Sequence, residues 1–178
     1  MPVLISLLRG VNVGGHNKIK MDALRALYES LKLRDPQTYV QSGNVVFRSA
    51  IEDTGEVGAR IEEGIAERLG LSVGVVMRTG KDLIDVTRKN PFLGGRADPS
   101  SLHVTFLADV PDPSAALRID PLACAPDELV VLDREIYLRC PQGYGKTKLT
   151  NALFERQLGV VATTRNWRTV TKLAELTS

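Results

Sequence analysis

Residues 3–18 read VLISLLRGVNVGGHNK, six residues with Ser6 as the sole polar one, then an abrupt turn to Gly, Asn and basic side chains at Arg9. An apolar run of that length, broken only by Ser6, is expected of a strand in the middle of a sheet. Residues 9–18 do not read as an ordinary connector. Three glycines allow close approach of a backbone to a ligand, and a basic loop opening a helix suits an anion.

Working outward, Met21, Leu24, Leu27 or Tyr28, and Leu31 recur at helical spacing, with Asp22 in the first turn. Residues 38–41 and 45–47 are β-rich and flank Ser42-Gly43-Asn44, a hairpin-type turn. Asp53-Thr54-Gly55-Glu56 reads as a capping box, and Val57, Ile61, Ile65 and Leu69 form one stripe ending at Gly70. Residues 72–78 make a further strand. The order β-α-β-β-α-β is the ferredoxin-like, or split βαβ, arrangement.

The second half repeats that order without evident sequence identity. Residues 102–107 read as a strand, and Asp112-Pro113 as the start of a short helix. Residues 129–132 and 136–140 read as a hairpin across Asp133-Arg134. Leu149, Leu153 and Leu158 mark a helix closed by Gly159, residues 160–163 a short last strand, and Trp167, Val170, Leu173 and Leu176 a terminal amphipathic helix. The expected fold class is α+β: two ferredoxin-like (βαββαβ) units packed together, with an additional C-terminal helix. The units are read as residues 1–80 and 101–178. Residues 81–100 join them, with a helix stopping at Asn90-Pro91 and a linker-like Gly94-Gly95-Arg96-Ala97-Asp98-Pro99.

Composition narrows the function classes. The 178 residues are 43% apolar and 25% charged, within the range of globular proteins. A net charge of +2 gives no broad basic field of the kind a general nucleic-acid binder carries. No apolar stretch approaches the roughly 20 residues that span a bilayer, and no basic segment precedes the first strand as in a signal peptide. Two cysteines, Cys124 and Cys140, are too few for a disulfide framework and lack metal-ligand spacing. The expectation is a cytoplasmic protein with no metal and no membrane partner; its oligomeric state and any cofactor are left open.

Topology sharpens the opening reading. In a βαββαβ unit the loop leaving the first strand and the turn joining the second and third lie at the same end of the sheet. Arg9, Asn12, Gly14, Gly15 and Lys18 are therefore expected beside Gln41, Ser42 and Asn44. Arg and Lys supply charge, Asn and Gln supply paired donors and acceptors, and glycines leave N–H groups accessible. A phosphate or carboxylate is the natural guest. The bland alternative is that Asn12 and Asn44 only shape turns while Arg9 and Lys18 are solvated.

A second candidate lies in the other half. Gly145-Lys146-Thr147 ends like a phosphate loop, but the required first glycine falls at Cys140. Gly10 and Gly15 have the right spacing, yet His16-Asn17 stands where Lys-Ser or Lys-Thr is needed. Lys146, Lys148 and Asn151 still suit anion contacts ahead of a helix. The same topology sets residues 144–148 beside residues 164–167, where Arg165 would join the lysines in a small positive patch. Trp167 is expected to be mostly buried, with Asn166 at the helix cap. One cleft shared by the two loop regions is the favoured arrangement, and two separate contacts the alternative. No residue is assigned a catalytic role: His16 is a lone loop histidine, and Ser42 lacks a nucleophile elbow.

The blocks LLRGVNVGGHNKIKM (residues 7–21), TYVQSGNVVF (38–47), NPF (90–92) and GKTKLTNALFERQLGVVATTRNWRTVTKL (145–173) together resemble the bacterial family called domain of unknown function 1697. The resemblance spans essentially the whole chain, and it implies no activity, cofactor or partner. The preferred reading from the residues is a protein binding a small phosphorylated or nucleotide-like anion at the Gly-rich loop edge. Alternatives are a nucleic-acid-binding module, opposed by the 5% aromatic content, and an enzyme of unidentified reaction.

Overall fold

The computed structural model describes residues 1–95 and 97–178, so Arg96 of the expected linker lies outside the described residues. The first unit runs β1 (Val3–Leu8), α1 (Met21–Ser30), β2 (Arg34–Tyr39), β3 (Asn44–Arg48), α2 (Thr54–Leu69) and β4 (Val75–Thr79). Its sheet has the order β2-β3-β1-β4 with every neighbouring pair antiparallel. This is the ferredoxin-like order, and β1 lies in the middle as its apolar run requires. Leu4, Leu8, Val45, Phe47, Val75 and Met77 pack under Leu24, Leu27, Tyr28, Val57, Ile61 and Ile65 of the two helices. Tyr28 meets Phe47 edge to face at 5.3 Å, and its buried hydroxyl shares a 2.6 Å hydrogen bond with Ser6. That bond explains the one polar residue in β1: a buried phenol needs a partner.

The second unit contains β5 (Leu102–Leu107), α4 (Pro113–Ala116), β6 (Glu128–Leu132), β7 (Glu135–Arg139), α5 (Asn151–Leu158) and β8 (Ala162–Asn166). Its order, β6-β7-β5-β8, repeats the first. The register repeats as well: Leu7 faces Asn44 and Leu8 faces Val75, while Phe106 faces Glu135 and Leu107 faces Ala162. Each fourth strand runs directly into a helix, α3 (Gly80–Lys89) and α6 (Trp167–Leu176). By contacts the chain divides into Met1–Ile84 with Leu173–Ser178, and Asp85–Lys172.

Several strand boundaries depart from the sequence reading, among them the start of β4, at Val75 and not at residue 72. β2 begins at Arg34, ahead of the expected residue 38, and carries Pro36. It is an edge strand with an irregular register between Arg34 and Gln37, where a proline sacrifices no ladder bond. β8 starts and ends later than expected, so Thr164 and Arg165 belong to a strand and not to a loop after it. They face Thr105 and Val104, and α6 follows Asn166 with no connector.

Candidate functional site

At the C-terminal end of β1 the chain folds onto the β2–β3 turn. Leu8 N–H donates to Gly43 O at 2.9 Å, and Arg9 N–H donates to Gly74 O at 2.8 Å. Asn12 then holds the loop. Its Nδ2 donates to Gln41 O at 2.8 Å and to Ile19 O at 3.0 Å, while its Oδ1 accepts from Ile19 N–H at 2.9 Å. Asn12 has φ 56°, a left-handed conformation that Asn tolerates better than most residues. Loop and turn are thus side by side, stapled by one side chain whose polar atoms are spent internally.

Asn44 does the same for the turn. It is fully buried, and its Nδ2 donates to Tyr39 O at 2.8 Å and to Ser42 Oγ at 2.9 Å. At the tip, His16 N–H donates to Val13 O at 3.0 Å across Gly14 and Gly15, whose φ values are 59° and 78°. Two consecutive positive φ angles make a type I′ turn, which is why glycines stand there. The tip is exposed, as are Lys18, Lys20 and Gln41, and Arg9 is half-buried. From Met1 to Met21 the chain carries Arg9, Lys18, Lys20 and His16 with no carboxylate.

In the second unit the candidates sit in different surroundings, with residues 144 and 151 near the strand that carries Thr164 and Arg165. Lys146 and Lys148 are exposed. Asn151 Oδ1 accepts from Thr164 Oγ1 at 2.6 Å, and Thr164 Oγ1 also lies 2.7 Å from Thr105 Oγ1. Arg165 is only 6% exposed. Its Nη1 donates to Thr163 Oγ1 at 2.6 Å and to Thr164 O at 3.0 Å, so it does not join a surface patch. Burial lowers its pKa to about 10, with Tyr144 acting the other way, and it stays protonated at neutral pH. Trp167 is buried, and Asn166 caps α6 by accepting from Thr169 N–H at 2.8 Å.

The sequence reading passed over Arg78. It faces Ile5 as Arg165 faces Val104, is 1% exposed, and donates from Nη1 to Met77 O at 2.8 Å. A signal existed: VVMRT of β4 and ATTRN of β8 both carry Arg in fourth place. It is visible only once the two strands are set in equivalent register.

These features define a protein of two ferredoxin-like units with a preformed basic loop at one sheet end. The chain belongs to the family described as protein of unknown function (DUF1697), whose profile matches residues 1–137. The block at residues 145–173 lies beyond that match. The fold is similar to that of the conserved bacterial protein SP0830 from Streptococcus pneumoniae, at 22% identity over 99% of each chain and a TM-score of 0.78. No curated protein matches the sequence. Among the described residues, no helix is long and apolar enough to cross a membrane.

Proposed function

We propose that this protein binds a small phosphorylated or nucleotide-like anion at the loop of residues 9–18 and the turn of residues 41–44. The observation that carries the reading is the carboxylate-free loop held in shape by Asn12, with exposed Lys18, Lys20 and Gln41 around a glycine tip. Because Asn12 and Asn44 fix the frame, little ordering entropy is lost when an anion docks. Arg9 and Lys18 supply charge, and Gln41 supplies a hydrogen-bonding amide.

The test is a thermal-shift screen against nucleotides, sugar phosphates and oligonucleotides, followed by titration of the best ligand. A ligand at a hundredfold its Kd stabilises the folded state by about 2.7 kcal/mol. Lys18→Ala and Arg9→Ala are each expected to weaken binding about tenfold, the loss of one charge-assisted hydrogen bond, with the fold intact. Equal affinity in both variants and wild type would overturn the reading. An oligonucleotide whose affinity falls steeply with salt would favour nucleic acid over a small anion.

A further inference from the structure

The second unit contains a cavity of about 430 Å³ between the end of α4, the turn after it and the outer face of α5. That volume lies within the range of small-molecule sites. Arg118, Lys148 and Arg156 line it, with Asp120 as the one carboxylate, over Ile119, Cys124 and Leu153. Among the described residues none of the three cations forms an ion pair, although Asp112, at the cap of α4, acts on Arg118 electrostatically. Asp120 already accepts the Leu122 N–H at 2.9 Å. Three cations line the cavity beside one engaged carboxylate, with Asp112 and Asp127 close by, so the lining itself carries a positive excess that an anion would offset.

The backbone that bears these cations is anchored. Arg118 precedes buried Ile119, and Lys148 precedes fully buried Leu149. Thr147 is fixed to Asp127 Oδ2 at 2.6 Å and accepts from Leu149 N–H at 3.1 Å. Arg156 stands one turn along α5 from Ala152, between buried Phe154 and Leu158. The cations therefore project from fixed points around an apolar floor. Cys124 belongs to that floor, and burial, with Asp120 and Asp127 nearby and Lys148 opposing, pushes its thiol pKa up. It stays neutral and does not oppose an anion.

We infer that this cavity is a separate binding site for a compact organic phosphate. Its phosphoryl group would be held among Arg118, Lys148 and Arg156, and its small apolar body would lie on Ile119, Cys124 and Leu153. A forked guanidinium matches phosphoryl oxygens, and the apolar floor distinguishes an organic ester from inorganic phosphate. The site is built from residues of the second unit and does not depend on the loop of residues 9–18 binding anything.

Phenyl phosphate is a suitable probe, titrated into the full ¹⁵N-labelled chain. The expected result is saturable shifts at the amides of Ala123, Cys124, Ala152 and Leu153, at lower concentration than with inorganic phosphate. Lys148→Gln and Arg156→Gln should each raise the apparent Kd about tenfold, whereas Arg9→Ala should leave it unchanged. Both substituted side chains are exposed, so the fold is not at risk. Absence of saturable shifts at these amides, or undiminished shifts in the Lys148→Gln/Arg156→Gln double variant, would overturn the inference. Shifts confined to Gly14 and Gly15 would do so too, while supporting the loop as the anion site.

Discussion

A methyl group added at Gly43 would meet Leu8 Cβ at 2.8 Å, with φ already at +83°. At Gly15 no atom of the other described residues beyond its chain neighbours lies within 4 Å of the added Cβ, and only the φ of +78° opposes it. Gly43→Ala is therefore expected to destabilise the protein by about 2–4 kcal/mol, overpacking and backbone strain together, and Gly15→Ala by about 1–2 kcal/mol. Urea denaturation of both variants decides it, and a reversed order would refute the account. The sequence reading drew attention to Gly14 and Gly15 because they sit in an obvious basic loop. The tighter constraint at Gly43 depends on contact with a strand 35 residues earlier (43 − 8), which no local pattern reveals. His103 offers a second residue-level test. It is 9% exposed and stacks on Tyr144 at 4.8 Å, and burial lowers its pKa, with the Ser101 backbone opposing. A depressed folded pKa means the unfolded chain binds the proton more readily. Stability from this residue is therefore present above the ordinary histidine pKa and declines as pH falls below it, through the lower folded value. His103→Phe keeps the ring stack and should flatten the stability profile between pH 7 and pH 5, measured by denaturation at each pH. An unchanged profile would show that His103 does not carry the dependence.

At the scale of elements, most helices were legible because their ends carry chemistry that needs no tertiary information. Asp53 accepts from Glu56 N–H at 3.0 Å and Gly70 closes α2 with φ 66°. Thr150 and Gly159 bracket α5 in the same manner. Asp53→Ala is expected to cost about 1 kcal/mol, read as a lowered urea midpoint with an unchanged slope. A stability equal to wild type would mean that water replaces the cap without penalty. Strand boundaries were less legible, for a physical reason. β2 tolerates Pro36 only because its outer edge is unpaired, and β8 extends through Arg165 only because internal acceptors receive the guanidinium. Both depend on position in the sheet, not on propensity. The cavity in the second unit was equally hidden, since its lining comes from residues 118–124 and 148–157, with the whole β6–β7 hairpin between them.

For the whole molecule, the duplicated architecture was readable because element order survives where sequence identity does not. The matched registers and the equivalent Arg78 and Arg165 required coordinates. The end of the chain is the least expected part of the division, since Leu173–Ser178 group with Met1–Ile84 and not with the residues immediately before them. Leu173 is fully buried and Ala174 nearly so. A Cβ at Gly80 would lie 3.1 Å from Thr177 Cβ, which shows how closely the start of α3 meets this segment. Side chains this buried contribute through both transfer and packing, so Leu173→Ala should cost about 2–5 kcal/mol. A chain ending at Lys172 loses Leu173, Ala174 and the Thr177 contact together. Its melting temperature should fall by more than that of Leu173→Ala, and the amide of Gly80 should shift most strongly among those of α3. A truncated chain that melts with the wild type and leaves Gly80 unmoved would mean that these six residues cover the first unit without stabilising it.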